Sequence, residues 1–153
     1  RFAPCGPDHA QVAACAGMVD YMDALYAHHV GGDAAPIGRA AAVHDLMRDH
    51  ETRLLQPLLD HLSAKNSVRL IGPKEAKDRA PTVAVELEVP CGSVASELAA
   101  LGINCDGGDF YAGRALAGVG IDPDQGVLRM SFVHYTSEAD IARLIDGLDC
   151  VLG

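Results

Sequence analysis

The sequence predicts an α+β domain, in which helices pack on one face of a small, mostly antiparallel sheet and long helices precede it. Apolar and polar residues alternate at strand period in residues 82–89 and again in residues 127–134, which indicates strands with one buried face. Ser137 then begins a C-terminal helix as a good N-cap, with Asp140 in the matching capping-box position. A sheet covered by helices on one side combines these features.

Two long periodic segments predict the helices before the sheet. Residues 8–28 begin at Asp8, which can cap a helix, and residues 37–63 follow the hinge-like stretch 31–36. Pro57 lies inside the second segment, where a proline removes a backbone hydrogen bond at a cost of ~3 kcal/mol. We therefore expect a kink or two shorter helices there. The first helix carries a stripe that we expect to contact the core or another domain: Val12, Cys15, Val19, Met22 and Tyr26.

Short strands and short helices alternate after residue 66. Residues 67–72 and 82–89 predict two strands, and residues 93–101 predict a helix that Gly102 ends. A further short strand that includes Cys105 leads into a glycine-rich loop. The closing helix carries its apolar residues on one face: Ile141, Leu144, Ile145, Leu148 and Val151.

Arg129 is the most informative residue of the last strand. Strand alternation places Leu128, Met130 and Phe132 on one face and Arg129 on the other. A guanidinium cannot lose its charge, so it needs an anion or water. The residues alone leave two interpretations open: an ion pair with one of the chain's carboxylates, or capture of a ligand carboxylate or phosphate by the bidentate fork.

A glycine pair, Gly107 and Gly108, precedes Asp109, Phe110 and Tyr111. Neighbouring glycines permit a close approach of the backbone to a ligand. No lysine followed by Ser or Thr stands in the order of a phosphate-binding loop, however. A tight turn and a ligand-binding loop are both compatible with this pattern.

Composition excludes several classes of function. The chain has 153 residues with 12 basic and 21 acidic side chains, a balance that argues against binding to nucleic acid or to an anionic membrane surface. No apolar run is long enough to span a membrane. The five cysteines form no C-x-x-C pair, so we expect the reducing cytoplasm rather than a disulfide scaffold. The chain begins with Arg-Phe and has no leader pattern, so we expect it to be a piece of a longer polypeptide.

Histidines on the second helix raise the question of a metal site. His44 and Glu51, and likewise His50 and His61, are spaced to share a helical face. A metal site in a helical bundle needs ligands that converge from several helices, and these residues interrupt the polar surface of one. We therefore predict a solvated helical face and no metal ligands.

Five short motifs follow one another along the second half of the chain: Gly102-Ile103, Gly108-Asp109-Phe110-Tyr111-Ala112, Leu128-Arg129-Met130-Ser131, His134-Tyr135-Thr136-Ser137 and Ile141-Ala142-Arg143-Leu144. As an ordered set they resemble the C-terminal domain of class V pyridoxal-phosphate (PLP) enzymes of fold type I, and in particular the cysteine desulfurase-like group. The segments at 68–70, 79–83 and 6–8 fall in the matching order upstream, so the resemblance covers nearly the whole chain.

The resemblance implies roles for four residues. Arg129 takes the position of an arginine that binds the α-carboxylate of an amino-acid substrate, which favours the ligand interpretation. Gly108 and Tyr111 belong to a loop that closes over the substrate, and Tyr111 stands where desulfurases carry the nucleophilic cysteine. That substitution argues against persulfide chemistry. Gly6 falls where the family has a Gly-Thr pair that reaches the PLP phosphate of the neighbouring subunit, so a backbone contact to PLP is expected there.

The resemblance also implies what the chain lacks. PLP enzymes need a lysine for the internal aldimine, and in the family it belongs to the large domain, upstream of these residues. Lys65, Lys74 and Lys77 do not stand at that position. We therefore expect no catalytic residue in this chain and no activity of the chain alone. Residues 1–35 then correspond to the end of the large domain and an interdomain helix, and residues 36–153 to the small domain.

These observations lead to a functional prediction and one alternative. The prediction is the C-terminal domain of a cytoplasmic, homodimeric PLP-dependent lyase or transferase that acts on an amino acid, in which a large domain binds most of the cofactor. The alternative is a non-catalytic α+β module that uses Arg129 to bind a small anion.

Overall fold

The computed structural model describes residues 8–153, which form two compact units. The first unit ends at Asp49 and the second comprises His50–Gly153. The border lies inside a long helix, whereas the sequence places the domain border after residue 35, which stays a prediction. Gly6 and its expected contact with PLP lie outside the described residues. Among the described residues, no helix is both long and apolar enough to cross a membrane.

The first unit contains helix α1, His9–His29, and the start of helix α2, Pro36–Ala64. Asp8 caps α1 by accepting hydrogen bonds from the backbone N–H groups of Ala10 and Gln11, as the sequence predicts. Arg39 of α2 forms an ion pair with Asp23 of α1 at 2.8 Å. The predicted apolar stripe is mostly exposed, because Val19 is 62% exposed and only Tyr26 of the stripe is buried.

Helix α2 continues through Pro57 without a break, so the alternative of two shorter helices is wrong. Pro57 is exposed, and the missing hydrogen bond therefore lies on the solvent side of the helix. The opposite side buries four leucines completely or nearly so, Leu54, Leu55, Leu58 and Leu59. Burial of one leucine contributes about 1.5–3 kcal/mol, so together they outweigh the cost of the proline.

A four-stranded antiparallel sheet with the order β1-β2-β4-β3 forms the centre of the second unit. The strands of this sheet and the helices between and after them follow the predicted order, which confirms the α+β fold. The elements are β1 (Val68–Ile71), the turn (Ala76–Asp78), β2 (Thr82–Leu87), α3 (Cys91–Ala100), β3 (Asp106–Gly108), α4 (Gly113–Gly118), β4 (Val127–Ser131) and α5 (Glu138–Leu152).

The inner face of the sheet builds the main core, as the alternation predicts. Val83, Val85 and Leu128 are fully buried in one cluster with residues of α2, α3 and α5. The start of α5 is the predicted capping box, since Ser137 and Asp140 exchange hydrogen bonds between side chain and backbone. The Ser137 hydroxyl, which donates a hydrogen bond to the Asp140 carboxylate at 2.6 Å, and then the Ser137 backbone N–H lower the pKa of the Asp140 carboxyl.

The outer face is less exposed than the alternation predicts. A second small cluster buries Leu116 of α4, Ile121 and Val127, with Phe110 packed against them. Strand alternation puts Val127 on the same face as Arg129, yet α4 and the loops beside it cover this end of the sheet. Arg129 and Ser131, farther along β4 on the same face, form an end that is open to solvent.

Strand β3 includes the glycine pair and begins after Cys105, which the prediction placed on the strand. Gly107 and Gly108 pair with Leu128 and Val127 of β4. The interpretation of the glycine pair as a tight turn is therefore wrong. The turn begins at Asp109 instead, where the chain leaves the sheet.

Candidate functional site

Arg129 lies at the open end of the outer face, in the middle of β4. Its register partners are Ala84 of β2 and Asp106 of β3, and its side chain is exposed. Within the described residues, Arg129 has neither an ion pair nor a hydrogen bond from its guanidinium to another residue. Residues 8–153 thus do not contain the ion pair that is one of the two interpretations of Arg129.

The contact that Arg129 does make is with the ring of Phe110. The guanidinium carbon Cζ lies over the ring, 3.9 Å from its centroid, which is a cation–π geometry. Sequence reasoning assigned no role to Phe110, because the contact joins two residues far apart in the chain. The sequence signal that could have indicated this contact is an aromatic residue directly after Gly107-Gly108-Asp109.

The loop that carries Phe110 has an unusual backbone. Phe110 and Tyr111 both adopt positive φ, 52° and 58°, a region that is uncommon for residues other than glycine. The Asp109 carboxylate stabilises this turn by accepting a hydrogen bond from the Tyr111 backbone N–H at 3.2 Å. Phe110 packs on the sheet, while Tyr111 is fully exposed. The predicted loop residue Tyr111 is thus free to meet a ligand or another domain.

The glycines near this loop serve close approach within the protein itself. A Cβ atom on Gly107 would collide with the backbone of Cys91 at the start of α3. A Cβ atom on Gly126, which has a φ of 66°, would lie 2.6 Å from the carbonyl oxygen of Gly108. Position 107 therefore requires a glycine because the backbone of α3 packs directly against it. Gly108 belongs to β3, the strand at the edge of the sheet.

A cavity of about 260 Å³ opens beside Arg129. It is lined by Asn104, Cys105, Asp106, Arg129 and Ser131. The Asp106 carboxylate is engaged locally, since it accepts a hydrogen bond from the Gly107 backbone N–H at 2.8 Å. Arg129 therefore presents its donors to the cavity without a competing intramolecular partner, which suits the binding of a small carboxylate.

Cys105 lines this cavity but is not poised as a nucleophile. Burial, followed by the nearby Asp106 charge, raises the pKa of the Cys105 thiol. Reactive cysteines need a lowered pKa and an electropositive surrounding. The thiol therefore behaves as a half-buried apolar group, as the sequence predicts.

A second, largely apolar cavity of about 430 Å³ adjoins the first. Asn104, Cys105 and Ser131 line both cavities. Its remaining wall comes from the ends of β4 and α5, including Phe132 and Leu144. A ligand bound by Arg129 would thus have room for an apolar group on this side.

The histidines of α2 serve as structural contacts. The His50 Nε2 atom lies 2.9 Å from the carbonyl oxygen of Thr136, and the His61 Nε2 atom lies 3.1 Å from a carboxylate oxygen of Asp149. Across residues 8–153, no group of three or more His, Cys, Asp or Glu side chains is arranged to hold a metal ion.

No lysine in the described part of the chain is placed to form a Schiff base with PLP. Lys65 forms an ion pair with Asp149 at 2.7 Å, and Lys74 and Lys77 lie in an exposed surface loop. None of the three lines the cavity beside Arg129. These three lysines therefore do not fit the aldimine chemistry of PLP.

The chain belongs to the class V aminotransferase family. The model of the family described as "Aminotransferase class-V" matches residues 38–144. This range includes the sheet, the Arg129 cavity and most of α2.

Relatives of known structure share this fold. The chain is 24% identical to a cysteine desulfurase from Thermococcus onnurineus, with a TM-score of 0.62 over 82% of this chain and 32% of that one. The cysteine desulfurase CsdA from Escherichia coli gives 23% identity and a TM-score of 0.58 over 80% of this chain and 32% of that one.

A curated relative, the aminotransferase-like protein FGM3 from Gibberella zeae, is 29% identical over 71% of this chain and 28% of its own length. The chain thus spans about a third of the length of the proteins it matches. At these identities the solved structures establish the fold, which this chain shares with a part of the cysteine desulfurases.

Proposed function

We propose that this chain is the C-terminal domain of a PLP-dependent enzyme that acts on an amino acid, and that Arg129 binds the α-carboxylate of the substrate. The observation that carries the proposal is the state of Arg129. It is exposed, has no intramolecular anion among the described residues, and faces a 260 Å³ cavity. Such a guanidinium keeps its donors for a ligand anion, which it can bind through two parallel hydrogen bonds.

The proposed role of this site is to orient the substrate. A planar guanidinium on a rigid strand can hold a carboxylate through two parallel hydrogen bonds, and this fixes the direction of the bonds at Cα. PLP, which the family implies, supplies the electron sink when it is bound. Ser131 and Asn104 border the same cavity and offer additional hydrogen-bonding groups to the substrate.

The proposal places the Schiff-base lysine and most of the PLP contacts in a large domain outside these residues. The chain spans about a third of its relatives, which leaves length for such a domain in a parent protein. The proposed parent is a cytoplasmic homodimer, and the chain alone is inactive. Tyr111 and Gly108 belong to the proposed active-site loop, and the absence of a thiol at position 111 favours a reaction other than desulfuration.

The proposal is tested with the full-length parent protein mixed with PLP. We expect an internal-aldimine absorbance band that borohydride traps on one lysine outside the present sequence. The band should shift on addition of free L-amino acids but much less with the corresponding carboxamides, because the amide removes the anion that Arg129 binds. A band trapped on Lys65, Lys74 or Lys77 would contradict the proposal.

The second candidate is a non-catalytic module that binds a small anion, favoured by the fact that the Arg129 cavity lies entirely within this chain. Calorimetric titration of the isolated chain with acetate and with phosphate distinguishes the two. Tight binding by the isolated chain, together with no aldimine band in the full-length protein, would support the module and overturn the enzyme.

A further inference from the structure

We infer that Phe110 is a positioning residue for Arg129: its ring holds the guanidinium in the orientation that receives the substrate carboxylate. The inference rests on the proposed function of Arg129 and concerns how its side chain is ordered before the substrate binds. Arginine has a long, rotamer-rich side chain, and an arginine without a partner must be ordered when a ligand binds. A contact that orders it beforehand therefore raises affinity.

Phe110 is suited to this task because its own ring is fixed. It packs against the outer cluster formed by Leu116, Ile121 and Val127. The ring thus has a buried side toward this cluster, and the Arg129 Cζ atom lies 3.9 Å from its centroid. A ring anchored in this way cannot follow the guanidinium, so the guanidinium must settle on the ring.

The contact also leaves the right atoms free. A cation–π contact uses the face of the aromatic ring, whereas the donors of arginine point outward in the guanidinium plane. Within residues 8–153, none of these donors is bonded to a carboxylate. The ring therefore restricts Arg129 without occupying the hydrogen bonds that a substrate carboxylate needs.

The backbone conformation of Phe110 and Tyr111 places the Phe110 ring against Arg129. Phe110 and Tyr111 are consecutive non-glycine residues with positive φ, and such conformations persist only where surrounding interactions hold them. The Asp109 carboxylate bonded to the Tyr111 backbone N–H is one such interaction. As a result Phe110 packs on the sheet while Tyr111 remains exposed.

The test measures dissociation constants of the full-length PLP-loaded enzyme for L-alanine, L-cysteine, L-serine and L-aspartate and for the α-carboxamide of each. The quantity of interest is the preference for acid over amide, which reports the carboxylate contact alone. Phe110→Leu should lower this preference by about 3- to 5-fold, the equivalent of an exposed cation–π contact. Phe110→Tyr should retain it, and Phe110→Leu should have no further effect when Arg129→Ala is already present.

Two further variants distinguish the loss of the cation–π contact from a folding defect. Site-specific trifluorophenylalanine at position 110 keeps the ring size but removes its negative face, and it should give the same 3- to 5-fold loss. Leu148→Val loosens the main core, which is separate from the cluster that holds Phe110, so it should lower the melting temperature and leave the preference unchanged.

The outcomes distinguish a failure of the proposed function from a failure of the role of Phe110 alone. A wild-type enzyme that shows no preference for acids, or that binds none of the four amino acids, would overturn the proposed function and this inference with it. A strong preference that falls in Arg129→Ala but survives both Phe110→Leu and the fluorinated ring would overturn the role of Phe110 alone.

Discussion

The two faces of the sheet differ in how much of each is buried and in the groups that each exposes. On the inner face, Val85 and Leu128 are fully buried under helices α2, α3 and α5. On the outer face, a small apolar cluster covers one end, and the other end leaves Arg129 exposed beside a cavity. The inner face therefore supplies stability, and the outer face offers an unpaired charge for a ligand. Phe110 lies where the covered and open parts of the outer face meet.

The largest expected difference between the faces is thermodynamic. Leu128→Ala removes a fully buried side chain from the inner face and should lower the free energy of unfolding by about 2–5 kcal/mol. Ser131→Ala, on the same strand, loses only an exposed hydroxyl contact with Thr82 and should change it by less than about 1 kcal/mol. Urea denaturation of both variants measures the difference, and similar losses would contradict the division between the faces.

Gly107→Ala tests whether the glycine pair serves packing. The added Cβ would meet the backbone of Cys91, which cannot move aside without shifting α3, so we expect a loss of about 1–3 kcal/mol. Gly118→Ala is the matched control, because no atom lies within 4 Å of the added Cβ. If Gly107→Ala were as stable as Gly118→Ala in urea denaturation, the close approach of β3 and α3 would not need a glycine.

An ion cluster between the helices that cover the inner face gives a pH-dependent prediction. Asp149 of α5 contacts Lys65 at 2.7 Å and His61 of α2 at 3.1 Å, and the hydrogen bond from Lys65 lowers the pKa of the Asp149 carboxyl. A lowered folded-state pKa stabilises the fold above the unfolded-state pKa, and this contribution is lost as the pH falls through the folded-state value.

Asp149→Asn should therefore have a lower melting temperature than the unchanged chain at about pH 7 and nearly the same one at about pH 2. Lys65→Met is the matched variant for the other side of the pair. Equal melting temperatures of Asp149→Asn and the unchanged chain at neutral pH would show that this exposed pair contributes nothing measurable.

The sequence predicts the inner face better than the outer one, for a physical reason. Burial on the inner face repeats at strand and helix period, so Val83, Val85 and Leu128 could be assigned from the sequence alone. The capping box at Ser137 is equally local. The burial of Val127 and the contact of Phe110 with Arg129 depend on how the chain folds back over the sheet, and no local period encodes that.

Cys105→Ser should have the smallest effect on the parent enzyme. The raised pKa of the Cys105 thiol keeps it protonated at neutral pH, so the thiol is a poor nucleophile. Steady-state kinetics should give a kcat close to that of the unchanged enzyme. Complete loss of activity in a folded Cys105→Ser protein would restore a thiol mechanism.

Arg129→Ala in the full-length enzyme decides whether Arg129 binds the substrate carboxylate. We expect kcat/KM to fall about 100-fold or more, since an oriented charged hydrogen-bonding pair contributes on the order of 2–4 kcal/mol, while the melting temperature stays close to unchanged. Arg129→Lys should not restore activity, because a point charge cannot reproduce the fork. The matched control is Arg69→Ala, which removes an arginine that is ion-paired with Glu86 at 2.8 Å and should leave kcat/KM nearly unchanged. A large fall in the melting temperature of Arg129→Ala, with normal kinetics in the folded fraction, would contradict the account and make Arg129 a structural residue.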